Sequence, residues 1–299
     1  MKIAVCVKWV PVVSRMKFDT ETKRIVRDGV PNELNGYDVL SVQRAVELKA
    51  SHDAEVSVYT MGPPNAREGL ARCLAMGADR AFHIIDAALA GSDTLATSRA
   101  LSLAIAKETY DLILFGYFSV DAETSQVGPE VAELMGLPQV TCVSKLDVVD
   151  DTTLRVERTL DDGTEVVEVT LPAVISVTDG IAAEVFPERD EIKEAELREI
   201  PEITARELSE DSSLFGVEGS PTSVSEIRIV ESTRERLVVE EVPVDEAARQ
   251  VVAFLKERGA LDPDKRVVPE LAPAPADSRA VEGPEVWVVV EHGSTGVKS

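Results

Sequence analysis

Short apolar runs rich in β-branched residues recur along the first 180 residues, and they limit what this chain can fold into. They read "KIAVCVKWV" (2–10), "AEVSVYTMG" (54–62), "RAFHIID" (80–86), "YDLILFGYF" (110–118) and "PAVISV" (172–177). Apolar content this continuous marks strands buried on both faces. Helical periodicity fills the gaps between the earlier runs. "YDVLSVQRAVELKASH" (37–52) gathers Leu40, Val42, Ala45, Val46 and Leu48 on one side, and "NAREGLARCLAMG" ends at Gly77, a residue suited to a left-handed cap. "GSDTLATSRALSLAIAKE" opens with the N-cap candidates Ser92 and Asp93. Strand and helix therefore alternate over the first 145 residues. The expected class is α/β, a parallel sheet with helices on both faces.

The pattern then changes. "TLRVERTL" and "TEVVEVTL" alternate apolar and polar residues around Asp161, Asp162 and Gly163, which predicts an antiparallel hairpin. Residues 179–218 carry few large apolar side chains, several prolines and much charge, and read as an extended arm that gains order against a partner, or as a solvated, partly helical linker. Strand candidates "VSEIRIVE" and "RLVVEEV" follow. A helix over "VDEAARQVVAFLKERGAL" comes next, with Ala247, Val251, Phe254 and Leu255 on its apolar face and Gly259 at its end. A Pro/Ala linker (263–284) leads to a strand-like "EVWVVVEH". The domains expected are 1–180, 181–262 and 263–299.

Of 299 residues, 44% are hydrophobic, an ordinary globular composition. A formal net charge of −23 repels a phosphate backbone, so nucleic acid is not an expected partner. No run reaches the ~18 apolar residues of a membrane span, and the N-terminus lacks the marks of a secretory signal, so a cytoplasmic protein is expected. Cys6, Cys73 and Cys142 are odd in number and far apart, and His52, His83 and His292 are scattered. Neither a disulfide framework nor a metal site is indicated. The sequence also lacks a P-loop, a G-x-G-x-x-G after the first strand, a G-x-S-x-G elbow and an H-E-x-x-H.

One stretch does carry chemistry. In a parallel α/β sheet, ligands bind beyond the carboxyl ends of the strands, where loops enter helix N-termini. "GYFSVDAETSQVGPEVAELMGLP" (116–138) lies at such a place, with Pro129 in the first helical turn and Gly136 as the stop. Exposed backbone N–H groups, with Thr124, Ser125 and Gln126, would suit phosphate oxygens. From spacing alone, Asp121, Glu123, Thr124 and Ser125 read first as helix caps. The two acids oppose a bound anion unless they turn away or meet ribose hydroxyls.

Several separated stretches together resemble the beta subunit of electron transfer flavoprotein: "AVCVKWVP", "RIVRDGVPNELNGYDVLSVQRAVELK", "LARCLAMGADRAFHI", "DAETSQVGPEVAELMGLPQVT", "VERTLDDGTEVVEVTLPAVISV" and "GSPTSV", spanning about residues 1–262. The resemblance implies a Rossmann-like beta-subunit fold over the first 180 or so residues, and an arm that embraces an alpha subunit holding FAD. It also implies a bound adenine nucleotide. Carried over by position, the nucleotide site comprises Cys6, Asn35, Met61, Gly116, Tyr117, Phe118, Ser119, Val120, Asp121, Ala122, Glu123, Thr124, Ser125, Gln126 and Val127. No catalytic residue is implied, since such a subunit is an electron carrier rather than an enzyme. It passes electrons from dehydrogenases towards a quinone-linked oxidoreductase, and the flavin supplies the redox chemistry.

Two subtypes of that family differ in what fills the site. Simple carriers hold AMP and have a loop close to D-D-D-C-N-Q-T. Electron-bifurcating relatives that oxidise NADH hold a second FAD, with a loop like D-G-D-T-A-Q-V-G-P. Here "DAETSQVGP" lies nearer the second. Against that, bifurcating relatives carry V-P-D-T after the first strand, whereas Pro11 here is followed by Val12, Val13 and Ser14. The arm reads "AEVFPERDEIKEAELRE" where the family has E-P-R-Y and a basic stretch, so its charge is reversed. "EVWVVVEH" resembles the first strand of the alpha subunit, which implies a beta-alpha fusion; an unrelated edge strand is the other reading. A stand-alone nucleotide-binding stress or adenylating protein would need an S-G-G-x-D-S-type loop, which is absent.

Overall fold

The computed structural model describes residues 1–15, 17–19, 24–26, 29–224, 238, 240–262, 292–293 and 296–297. They fall into two compact units, Met1–Val230 and Glu231–Ser299. The first unit opens with strands β1 (Lys2–Cys6), β2 (Trp9–Pro11), β3 (Lys17–Asp19), β4 (Arg24–Val26) and β5 (Asn32–Leu34), followed by helix α1 (Gly36–His52). Next come β6 (Glu55–Met61), α2 (Arg67–Ala75), β7 (Arg80–Ile84), α3 (Thr94–Ile105), β8 (Leu112–Gly116) and α4 (Val127–Met135). The long β9 (Gln139–Asp150), β10 (Thr153–Leu160), β11 (Gly163–Thr170) and β12 (Ala173–Val177) complete the sheet, before α5 (Arg189–Glu196), β13 (Glu202–Ile203) and α6 (Ala205–Leu208).

Nine strands form one sheet in the order β11-β10-β9-β12-β8-β1-β6-β7-β13. All pairs from β9 to β13 across the sheet are parallel, and β10 and β11 extend it as the expected antiparallel hairpin, with Leu160 opposite Gly163. Because side chains alternate along a strand, Ile3, Val5, Val56, Val58, Leu112 and Leu114 enter one core beneath Leu40, Leu48 and Leu70 of α1 and α2. Ala4, Tyr59, Ile113 and Phe115 enter the other, beneath Leu101, Ile105 and Val131 of α3 and α4. Each fully buried aliphatic side chain contributes roughly 1.5–3 kcal/mol. The central strands have no polar face because helices cover both sides.

Two local differences from the sequence reading have physical causes. The first apolar run is not one strand. β1 ends at Cys6, and Trp9–Pro11 instead pairs antiparallel with β5. The stretch 179–218 is ordered within its own unit: β13 adds to the outer edge of β7, with Ile203 opposite Ile84, and α5 packs on α2. Six of its apolar residues, Ile181, Ala195, Ile200, Ile203, Ala205 and Phe215, are buried, while Phe186, Leu197 and Val217 stay exposed. Arg67 donates to the carbonyls of Ile200 and Arg198 at 3.2 Å each. Arg198 in turn donates to those of Ala78 and Asp79. Farther on, the Thr222 amide and hydroxyl donate to the Asp93 carboxylate that caps α3, at 3.0 and 2.7 Å.

The second unit contains α7 (Val244–Glu257), none of whose residues is buried, and the short antiparallel pair β14 (His292–Gly293) and β15 (Gly296–Val297). Residues 225–231, 236, 237 and 239 of the candidate strands, the linker and all of "EVWVVVEH" but His292 lie outside the described residues. Among the described residues, no helix is long and apolar enough to cross a membrane.

Gly216 gives a test of how the arm is docked. Its φ is +61°, its amide donates to the Ser92 hydroxyl at 3.0 Å, and a Cβ there would run into the Ala88 carbonyl and stand 3.2 Å from that of Ala90. Gly216→Ala should lower unfolding stability by about 1 kcal/mol or more and speed proteolysis within 209–224. An unchanged cleavage pattern and unfolding midpoint would contradict the docking.

Candidate functional site

From β1 the chain steps outward through β6 to β7, then returns to the other side of β1 to lay down β8. The point of reversal lies between the carboxyl ends of β1 and β8, the position at which open parallel sheets bind ligands. Three segments meet there: residues 7–8 after β1, Asn35 to Asp38 at the start of α1, and the loop 117–126 between β8 and α4.

A buried set of hydrogen bonds ties these segments together. The Asn35 amide nitrogen donates to the Lys8 carbonyl at 3.1 Å. Its side chain does not cap α1; it donates to the Phe118 carbonyl at 2.9 Å and accepts from the Val120 amide at 3.1 Å. Asp38 accepts from the Lys8 amide at 2.7 Å, and its carboxylate closely approaches the Gly116 backbone. Asn35 is 1% exposed and Asp38 6%. Burial pushes the Asp38 carboxyl up to about 7, although the Lys8 amide and the Asn35 side chain oppose the rise. Gly116 cannot carry a side chain, since a Cβ would lie 2.8 Å from that of Tyr37 and collide with the Asp38 carboxylate.

The loop itself turns on the Ser119 carbonyl, which accepts from the amides of Ala122 and Glu123 at 3.1 and 2.8 Å. Glu123 and Ser125 then adopt left-handed backbone angles, with φ of +51° and +55°. Such angles cost a non-glycine residue energy and persist where the surroundings enforce them. The result is an array of donors. Among the described residues, the backbone N–H groups of Thr124, Ser125, Gln126, Val127 and Gly128 have no hydrogen-bond acceptor, and no side chain caps α4. Five successive donors at a helix N-terminus form an anion-binding arrangement. The helix-cap reading of Asp121, Glu123, Thr124 and Ser125 is thereby set aside.

Asp121 does not oppose an anion there. Both its oxygens accept from the Lys8 ammonium at 2.8 Å. Burial alone would raise its carboxyl, but Lys8 and the Ser119 side chain hold it below its usual value. Glu123 stays exposed. Cys6 is buried at the end of β1, its thiol pushed well up by burial and then by the nearby Asp38, so it is no nucleophile. Met61 ends β6 and packs on the same core as Cys6 and Val127. Thus Cys6, Asn35, Met61 and the loop 116–127 share one edge of the sheet. The rings of Tyr37, Tyr117 and Phe118 pack against one another beside them, at centroid distances of 4.8 to 6.1 Å.

Sequence reasoning missed Lys8 and Asp38. Their signal was weak: a lone cation after the first strand, and an acid in the first turn of a helix whose neighbours Val39 and Leu40 are buried. A cleft of about 400 Å³ lies elsewhere, between Asp86 and α6, where Asp86 is already occupied in accepting from the amides of Ala88 and Ala205. Among the described residues, no group of three or more His, Cys, Asp or Glu could hold a metal ion. Asn35→Ala should cost ~1–3 kcal/mol, because Phe118 and Val120 lose their partners in a buried place. Hydrogen exchange should speed up over 117–124 and stay unchanged in β10 and β11; uniform exchange in both would count against the brace.

Comparison with known proteins identifies the family. The family model described as "Electron transfer flavoprotein domain" matches residues 22–208. The beta subunit of an electron transfer flavoprotein from Clostridium acetobutylicum is 38% identical over 86% of this chain and 98% of its own length. Protein FixA of Sinorhizobium fredii is 38% identical over 84% of this chain and 90% of its own. The CarD subunit of a caffeyl-CoA reductase-Etf complex from Acetobacterium woodii is 34% identical over 86% and 99%. With a matching domain model and relatives aligned over nearly their whole length, the chain belongs to the electron transfer flavoprotein family, as a beta subunit.

Proposed function

We propose that this beta subunit binds an adenine nucleotide through the loop 116–128. Paired with an FAD-bearing alpha subunit, it passes electrons from dehydrogenases towards a quinone-linked oxidoreductase. The observation that carries the binding step is the run of unpartnered amides from Thr124 to Gly128 at the uncapped start of α4. A phosphate is the group such donors fit best, since it offers several acceptor oxygens and the helix dipole favours its charge. The Thr124 hydroxyl is a further donor on the same loop. By accepting the Asp121 charge, Lys8 removes a carboxylate that would otherwise repel the ligand.

When FAD is bound in the complex, it supplies the electron-transfer chemistry. This chain contributes position. Asn35 and Asp38 fix the loop against the sheet, while the buried Cys6 and the partly buried Met61 form part of the apolar floor. Nothing in this role asks a side chain of the site to make or break a covalent bond.

A second reading is an NADH-oxidising, bifurcating complex with its own FAD in this subunit. The wording "DAETSQVGP" favours it, as does the likeness to a subunit of a caffeyl-CoA reductase-Etf complex. Nucleotide release from a co-expressed alpha-beta complex separates the two. FAD and AMP in about equal amounts support the carrier, two FAD without AMP support bifurcation, and absence of nucleotide from this subunit rejects the binding site. Thr124→Ala should weaken nucleotide retention by about 10-fold without altering thermal unfolding of the nucleotide-free chain.

A further inference from the structure

We infer that Glu130 is a specificity-determining residue of the 116–128 site: a carboxylate fixed in the first turn of α4 that lowers the affinity for a doubly charged phosphate. The inference rests on the binding reading above. Glu130 is the acid of that turn, and it follows directly on the five amides that would meet the ligand. Its own amide donates to the Gln126 carbonyl at 2.9 Å. Pro129 holds the third helical position, from which a glutamate could have reached back to the N-cap. Glu130, one residue later, turns sideways and leaves the amides open.

It turns to α3. The Thr94 hydroxyl donates to one carboxylate oxygen at 3.1 Å, and the Ser98 hydroxyl lies 2.8 Å from the other. Ser98 is fully buried, and the same hydroxyl is 3.4 Å from the Val127 carbonyl, so the carboxylate is pinned beside the first peptide of α4. The single Ser98 proton is shared with the Thr94 carbonyl at 2.8 Å. Hydroxyls orient a charge without cancelling it. Among the described residues, no lysine or arginine pairs with Glu130. Lys8, the cation of the site, already spends its three N–H donors on Asp121 and Ser119, at 2.8, 2.8 and 3.3 Å.

Two effects of opposite sign follow. In the empty site, Glu130 takes the favourable place that the helix dipole offers to negative charge, which stabilises the start of α4. Once a phosphate meets the amides, that carboxylate is a like-charge neighbour, and its cost grows with the charge of the ligand. Glu130 therefore favours the empty site and opposes the filled one. A residue that only supported the loop would act the other way, since its loss would loosen the amides and weaken every ligand.

The test compares wild type with Glu130→Gln in the co-expressed alpha-beta complex, stripped of nucleotide. The Kd values for AMP and for uncharged adenosine are measured at about pH 8, where a phosphate monoester already carries both charges and does not titrate. AMP is also the adenylate half of FAD, so one probe serves either nucleotide. Glu130→Gln should bind AMP about 3- to 10-fold more tightly than wild type, leave adenosine unchanged, and lose part of that gain in high salt. Glu130→Met, also neutral, should show the same gain; a gain confined to glutamine would mean a new hydrogen bond to phosphate and overturn the proposal. Unchanged or weaker AMP binding by both variants overturns it too, as does equal tightening of AMP and adenosine. A wild type that binds neither AMP nor adenosine removes the nucleotide reading itself, and this inference with it.

Discussion

The structure depends on a brace across the crevice between β1 and β8. Backbone and side chain of Asn35 and the carboxylate of Asp38 join the chain after β1 to the chain after β8, using four hydrogen bonds that involve Lys8, Phe118 and Val120. Without it, two sheet ends and a loop with left-handed residues at Glu123 and Ser125 would have to hold their shape alone. Polar groups at a buried strand end cost ~1–3 kcal/mol each when unpaired. Here they are satisfied by one another, and the donors left over are the amides of residues 124–128 that the proposed nucleotide would meet.

That arrangement offers an acidic chain a way to hold the proposed anionic ligand. A net charge of −23 opposes phosphate at long range, and charge complementarity over the whole surface is not what the site uses. Attraction is local instead. It comes from backbone dipoles at the start of α4 and from Lys8, which cancels Asp121. Fixed dipoles need no rearrangement to meet a phosphate, so the proposed binding would involve little reorganisation. The segment 179–224 performs a related service at the other edge of the sheet, where β13 covers the N–H and C=O groups that β7 would otherwise expose.

Much of the fold was legible because its signals are local. Apolar runs, amphipathic helices, the Asp161-Asp162 turn, Asp93 as a cap and Gly136 as a stop each follow from neighbouring residues. The loop 116–127 was found by its place after a buried strand and before a helix, and the family likeness added Cys6, Asn35 and Met61. What escaped were contacts between residues distant in sequence. Lys8 meets Asp121 across 113 positions, and Arg67 meets Ile200 across 133, and neither pairing leaves a periodic trace. Composition also hid the docking of the arm, since six buried apolar residues among many charges average to a polar segment.

The most direct measurement is hydrogen–deuterium exchange of the nucleotide-stripped alpha-beta complex before and after addition of AMP. The account predicts that the amides of Thr124, Ser125, Gln126, Val127 and Gly128 gain protection while those of the β10–β11 hairpin stay unchanged. Protection that appears elsewhere in this chain, with residues 124–128 exchanging as before, would contradict it.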